Sequence, residues 1–182
     1  MKKVIIVVAL AAILATGTVF ADHPDGWGVG LLGSFGSTLG DNLWNEAGTG
    51  GGLVFSLKAP QLPIYWGINL DFNSWYFGLG VSGDYYLIDQ NIVDEVLGWY
   101  LGVGVWVGFS FWDMHEGNGF GLTTGGRVPV GLSVQIPIEA ITLEFFAAFV
   151  PKLGLGMFTS DYYDETKLFF NLGAEVGFRI WF

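Results

Sequence analysis

Cysteine is absent from the 182 residues. That excludes a disulfide framework and the acylated cysteine that anchors a bacterial lipoprotein. Cationic residues are scarce as well, seven Lys and Arg against 17 Asp and Glu, so the chain offers little to a polyanion and nucleic acid is excluded as a partner. Histidine occurs only at His23 and His115, which leaves few candidates for acid–base chemistry. The last shortage is of long hydrophobic runs. Past residue 21 no apolar stretch approaches the ~20 residues of a spanning helix, although hydrophobic residues make up 52% of the chain. The apolar excess must be spread in some other pattern.

One short apolar run stands at the start. Lys2 and Lys3 precede Val4 to Leu14, and small residues lead on to Val19-Phe20-Ala21, the layout of a secretory signal peptide. At about half the spanning length it is expected to be cleaved, not kept as an anchor. Residues 1–21 are thus read as a cleaved leader and residues 22–182 as a single domain.

Within that domain the residues alternate. From Pro63 to Asn73, Ile64, Trp66, Ile68, Leu70 and Phe72 share one face, and Tyr65, Gly67, Asn69, Asp71 and Asn73 the other. From Leu97 to Phe111 every odd position is apolar, while Gly98, Gly102, Gly104 and Gly108 stand on the even side. The last segment places Leu168, Phe170, Leu172, Ala174, Val176, Phe178, Ile180 and Phe182 opposite Asn171, Gly173, Glu175, Gly177 and Arg179. A period of two over ten or more residues predicts β-strands. The same pattern predicts strands near Gly26–Gly36, Gly50–Ala59, Trp75–Leu87, Leu122–Ile136 and Ala140–Pro151, eight in all. No helical stripe competes, and the 29 glycines weaken helices.

The connections alternate too. Ala59–Leu62, Ile88–Val96 and Pro137–Glu139 read as short turns, whereas Ser37–Thr49, Trp112–Gly121 and Lys152–Lys167 read as long loops. Asn73 and Ser74 read as a tight hairpin that leaves one edge of the rim low. Short turns on one side and long loops on the other are the layout of an outer-membrane barrel. The predicted fold is all-β, an eight-stranded antiparallel up-and-down transmembrane β-barrel with both termini on the periplasmic side. Trp27, Trp66, Trp75, Tyr76, Tyr85, Trp99, Phe111, Trp112 and Trp181, near strand ends, are expected to form interfacial girdles.

The chain ends Val176, Phe178, Ile180 and a terminal Phe182, which resembles the signature strand of outer-membrane proteins. That resemblance implies recognition by the β-barrel assembly machinery. The size and strand count resemble the small eight-stranded barrels, the group of the OmpA transmembrane domain, OmpX and OmpW, with no single member singled out. The location it implies is the bacterial outer membrane, among its lipids.

Inward parity collects Lys58, Asp71, Asp84, Arg127, Glu144, Glu175 and Arg179. Charges on the lipid side would cost ~2 to 4 kcal/mol each at mid-membrane, so these are expected to pair inside the lumen. A wide pore is excluded in so narrow a barrel. Inward glycines beside Tyr100, Trp106, Phe146 and Phe169 leave two readings, close packing or a narrow space for a small, apolar solute. Ser110 and His115 lie close in sequence, as do Asp113, His115 and Glu116, but neither set has a spacing that fixes a catalytic or metal site. No cofactor, metal site or catalytic residue is expected. Asp41, Glu46, Asp113, Glu116, Asp161, Asp164 and Glu165 outnumber Lys152 and Lys167 at the outer rim, a candidate surface for an external ligand such as divalent cations or a basic host surface. The function expected is a structural or surface-interaction barrel. The alternatives are a narrow channel or binder for small solutes, and a lipid-modifying enzyme of the outer membrane.

Overall fold

The computed structural model describes residues 23–39, 48–72, 76–93, 96–114, 117–160 and 164–182. The predicted leader lies outside them. The strands are β1 (Gly28–Leu39), β2 (Gly48–Lys58), β3 (Tyr65–Phe72), β4 (Tyr76–Val93), β5 (Leu97–Met114), β6 (Gly117–Arg127), β7 (Val130–Ile138), β8 (Ile141–Ser160) and β9 (Asp164–Trp181). Each pairs antiparallel with its neighbours. β1 pairs with β2 on one side and with β9 on the other, which closes the sheet into a ring.

The nine strands make eight staves, because β6 and β7 are one stave interrupted at Pro129. Proline has no amide hydrogen and cannot complete the ladder. The registers with β5 and β8 run through the gap without a shift. The inside–outside alternation also continues, with Arg127, Pro129 and Gly131 buried and Val128 and Val130 exposed. The Gly102 amide donates to the Pro129 carbonyl at 2.8 Å and the Val128 amide to the Pro151 carbonyl at 3.0 Å.

Outward positions are apolar around the whole circumference, from Leu31 and Phe55 through Ile68, Val81, Val105 and Leu132 to Phe145 and Val176. So continuous an apolar surface is far larger than the patches that soluble monomers leave in water. It is the lipid-facing belt of a transmembrane barrel. Inside, at the end that carries both termini, Leu32, Val54, Tyr65, Tyr86, Tyr100, Phe146, Ala148, Val150 and Trp181 form a buried cluster. The inward glycines make room for it. A Cβ at Gly102 would press on the Tyr86 ring, and one at Gly28 on the Trp181 ring. Glycine here provides space for large neighbours, which favours packing over passage.

Three expectations change. Strands extend through most of the supposed long loops, leaving residues 40–47, 115–116 and 161–163 of those three segments between strands. The reason is visible in β8, where Leu153, Leu155 and Met157 face outward and Gly154 and Gly156 are buried, so the period of two runs on past Pro151. Lys152 therefore belongs to the wall and not to a loop. Trp181, expected in a girdle, is almost fully buried in the lumen, as its odd parity requires. Trp27, Trp66, Tyr85 and Phe111 are exposed on the outside. Trp75 lies outside the described residues, as do the side chains of Tyr76 and Trp112. The hairpin at Asn73 and Ser74 also lies outside them, but the eight residues of β3 against the 20 of β8 make the wall low on that side.

Candidate functional site

The lumen is crossed by charged groups at three levels. At the middle level Arg127 of β6 reaches across to Glu175 of β9, its Nη2 donating to both carboxylate oxygens at 2.9 and 2.8 Å. Its Nε stands 3.0 Å from Oδ1 of Asp84 on β4, an ion pair whose alignment falls short of a hydrogen bond. Gly104 faces Asp84 and Arg127, so the glycine of β5 gives the pair its space.

Nearer the termini, Glu144 of β8 is completely buried and accepts from three donors. Arg179 Nη1 lies 3.1 and 3.3 Å from its oxygens, and the Trp181 indole donates at 2.8 Å. The third donor is His23 Nε2, at 3.0 Å. Arg179 also donates through Nε to Ser56 Oγ at 2.9 Å and lies over the Phe146 ring at 4.1 Å. Between this level and the middle one is a cavity of about 20 Å³, room for a single water.

The outermost level is looser. Asp71 and Lys152 face the lumen there, and Lys152 lies within the electrostatic reach of Asp71, Asp84, Arg127 and Glu175. Trp106 and Phe169 pack against each other with ring centroids 5.6 Å apart. Lys58, at the opposite end, donates to the Ala59 carbonyl at 2.9 Å and lies near Asp25. The structure thus joins Asp84, Arg127 and Glu175 in one group and Glu144 and Arg179 in another. Asp71 and Lys58 stand at the two ends, apart from both.

Sequence parity does not reveal His23 and Asp89. His23 precedes β1, so no strand pattern assigns it a face. Asp89 lies within a segment that reads as a turn, but β4 continues to Val93 with register shifts between Tyr86 and Ile88 and between Asn91 and Val93. The first shift inverts the parity and turns Asp89 inward, where it is buried. The adjacent apolar residues Leu87 and Ile88 are the one sequence signal of that inversion.

His23 Nδ1 lies 2.6 and 2.7 Å from the two oxygens of Asp89. Both ring nitrogens therefore face carboxylates. A neutral imidazole has only one N–H, so only the doubly protonated ring satisfies both contacts. Burial works against that charge, yet the bonds to Asp89 and Glu144 outweigh it and raise the pKa from 6.5 to about 9. Asp89 and Tyr86 face the ring from β4, Glu144 from β8, Tyr65 from β3 and Tyr100 from β5, with Arg179 of β9 beyond Glu144. A folded-state pKa above the unfolded one gives stability that is complete below about pH 6.5 and lost as pH rises through about 9. The gap in unfolding free energy between the wild type and His23→Asn, measured in urea at several pH values, should shrink across that window. A gap independent of pH would show the ring to be neutral.

Among the candidates with weaker spacing, His115 and Glu116 lie outside the described residues, as does the Asp113 side chain. Ser110 pairs with Gly78 and Gly121 in the wall. Of the acidic rim, Asp164 and Glu165 are exposed on β9, and Glu165 pairs with Lys167 at 3.0 Å. Asp41, Glu46 and Asp161 lie outside the described residues.

Val176, Phe178, Ile180 and Phe182 all face outward. Phe182 exchanges two backbone hydrogen bonds with Trp27, at 2.8 and 3.0 Å, so the terminal residue takes part in the closing seam.

No family model matches the chain, and no curated protein matches it in sequence. Among solved structures, Neisserial surface protein A superposes with a TM-score of 0.55 at 14% identity, over 86% of this chain and 97% of that one. That likeness shows the fold. The translocator domain of the autotransporter NalP from Neisseria meningitidis scores 0.32 at 9% identity, over 98% of this chain and 96% of that one. Ail, the attachment invasion locus protein of Yersinia pestis, scores 0.20 at 12%, over 84% and 98%. Neither of these two superpositions carries weight.

Proposed function

We propose that the chain is a bacterial outer-membrane barrel that serves as a closed scaffold for its outer surface, not as a conduit or a catalyst. It reaches the membrane through a cleaved leader, and the assembly machinery reads its outward-facing Val176, Phe178, Ile180 and Phe182. The observation that carries the closed reading is the double crossing of the lumen, Arg127 with Glu175 and Asp84 at one level and Glu144 with Arg179, Trp181 and His23 at the next. A solute would have to part both groups and leave buried charges without partners, which is strongly unfavourable.

Reconstitution into planar bilayers tests this. The expected record is free of discrete current steps over the usual range of holding potentials. Reproducible unitary steps from the purified protein would overturn the closed reading in favour of a narrow conduit. The glycine-lined outer part of the lumen, with Gly52 and Gly78 beside Asp71, Gly80 beside Asn69 and Gly36 beside Asn171, is the feature that such a conduit would use.

A further inference from the structure

The space that His23 fills is built as a receptor. Four rings surround the imidazole, with centroids 5.7 Å away for Tyr65 and Tyr86, 5.9 Å for Tyr100 and 5.8 Å for Trp181. Tyr65, Tyr86 and Tyr100 stack in series at 3.9 and 4.5 Å, so these walls hold one another in place. The stack takes up both faces of Tyr86, so the rings shape a tight slot for a flat group beside them. Asp89 and Glu144 add two carboxylates at hydrogen-bond distance.

Charge balance makes the same demand. This level of the lumen holds two anions, Asp89 and Glu144, and the barrel wall brings two cations near it, Arg179, whose contact is with Glu144, and Lys58, which lies beside the Tyr65 ring, donates to the Ala59 carbonyl and is near Asp25. A second positive charge is needed beside Asp89, because a buried carboxylate without a partner is costly. Among the described ion pairs, neither of these wall cations provides it. His23 does, from a segment outside the strands, and the described backbone hydrogen bonds to the barrel begin only at Trp27. The occupant can therefore leave without opening a strand pair.

We propose that this chamber is a binding site for a small planar organic cation, filled in the resting barrel by the imidazolium of the chain's own His23 and available to a free imidazolium-type ligand when that segment withdraws. The contacts that select the ligand are two opposed N–H donors, one for Asp89 and one for Glu144, on a flat ring that fits among the tyrosines. Charge and shape are both required. Metal ions and long polyamines match neither the aromatic walls nor the two opposed acceptors.

Chemical rescue of the full-length barrel tests the proposal. His23→Gly empties the chamber, and its thermal unfolding midpoint in detergent, read by gel mobility with and without heating, should fall below that of the wild type. Imidazole at about pH 6, where the ring is protonated, should restore most of the loss in a saturable manner and act on the wild type only at far higher concentration, because His23 competes there for the same chamber. Pyrazole, a ring of the same shape that stays neutral there, should restore nothing. If His23→Gly does not fold alone, its folded yield with imidazole present becomes the readout. Asp89→Asn placed in the His23→Gly chain should abolish the rescue. A folded His23→Gly protein indifferent to imidazole, or one rescued equally by pyrazole, overturns the proposal.

Discussion

Replacing Glu144 with alanine should lower the unfolding free energy of the barrel by about 3–5 kcal/mol, the range for removing one partner of a buried ion pair. Glu144 has no exposed surface and is the acceptor for Arg179, Trp181 and His23 together. Its loss leaves a guanidinium in a closed lumen with only the neutral hydroxyls of Ser56 and Tyr86 among its described hydrogen-bond partners. Urea titration in lipid vesicles, followed by tryptophan fluorescence, gives the number. A companion variant separates charge from packing. Glu144→Leu combined with Arg179→Leu removes both charges, and a buried pair replaced by apolar groups is often close to neutral, so the double variant should be the more stable of the two. A loss below about 1 kcal/mol for Glu144→Ala would mean that water reaches this level and solvates Arg179.

The second large effect is expected at the seam where β1 meets β9. Gly30 stands opposite Arg179, and a Cβ there would run into the Phe178 carbonyl oxygen and the Arg179 side chain. Across the same seam, a Cβ at Gly177 would meet the Leu32 Cβ and the Leu31 carbonyl. The Phe178 and Leu31 carbonyl oxygens among these obstacles are backbone atoms, which cannot turn aside as a side chain can. Gly30→Val should therefore prevent the ring from closing, and the fraction that shifts mobility on boiling should drop to the level of unfolded chain. Gly126→Val is the control, because its Cβ would point into nearly open space, and it should fold as the wild type does. Equal folding of the two variants would show that the seam can widen enough to take a side chain.

The fold was legible where alternation is strict. Leu97–Phe111 and Leu168–Phe182 announce their faces residue by residue, and the lumen charges Asp84, Arg127, Glu144, Glu175 and Arg179 follow from that parity. Legibility failed after Pro151, where a proline and a lysine interrupt the apolar alternation before Leu153–Met157 resumes it, so that a strand passed for a loop. It failed again at Tyr86–Ile88, where a shift of register reverses the faces and no count by twos can follow. The cage failed for a deeper reason. His23 and Asp89 are 66 positions apart, one outside every strand and the other past a bulge, and only the closed ring brings them together. Pro129 did not mislead, since the strand read over Leu122–Ile136 runs through it as the stave does, although the proline interrupts the ladder.

The uneven height of the wall has a consequence for the lipid around it. Among the described residues, the outward apolar face of β8 runs from Ile141 to Met157, whereas that of β3 runs from Trp66 to Phe72. At ~3.3 Å per residue these are ~50 and ~20 Å along the strands. No flat bilayer of uniform thickness covers both flanks. The barrel must lean toward its short flank, or the leaflet must swell beside β8 and thin beside β3, and either adjustment has a modest free-energy cost per ångström of mismatch. The molecule thus has a front and a back in the plane of the membrane, and lipids or neighbouring barrels that relieve the strain on one flank have no reason to gather at the other.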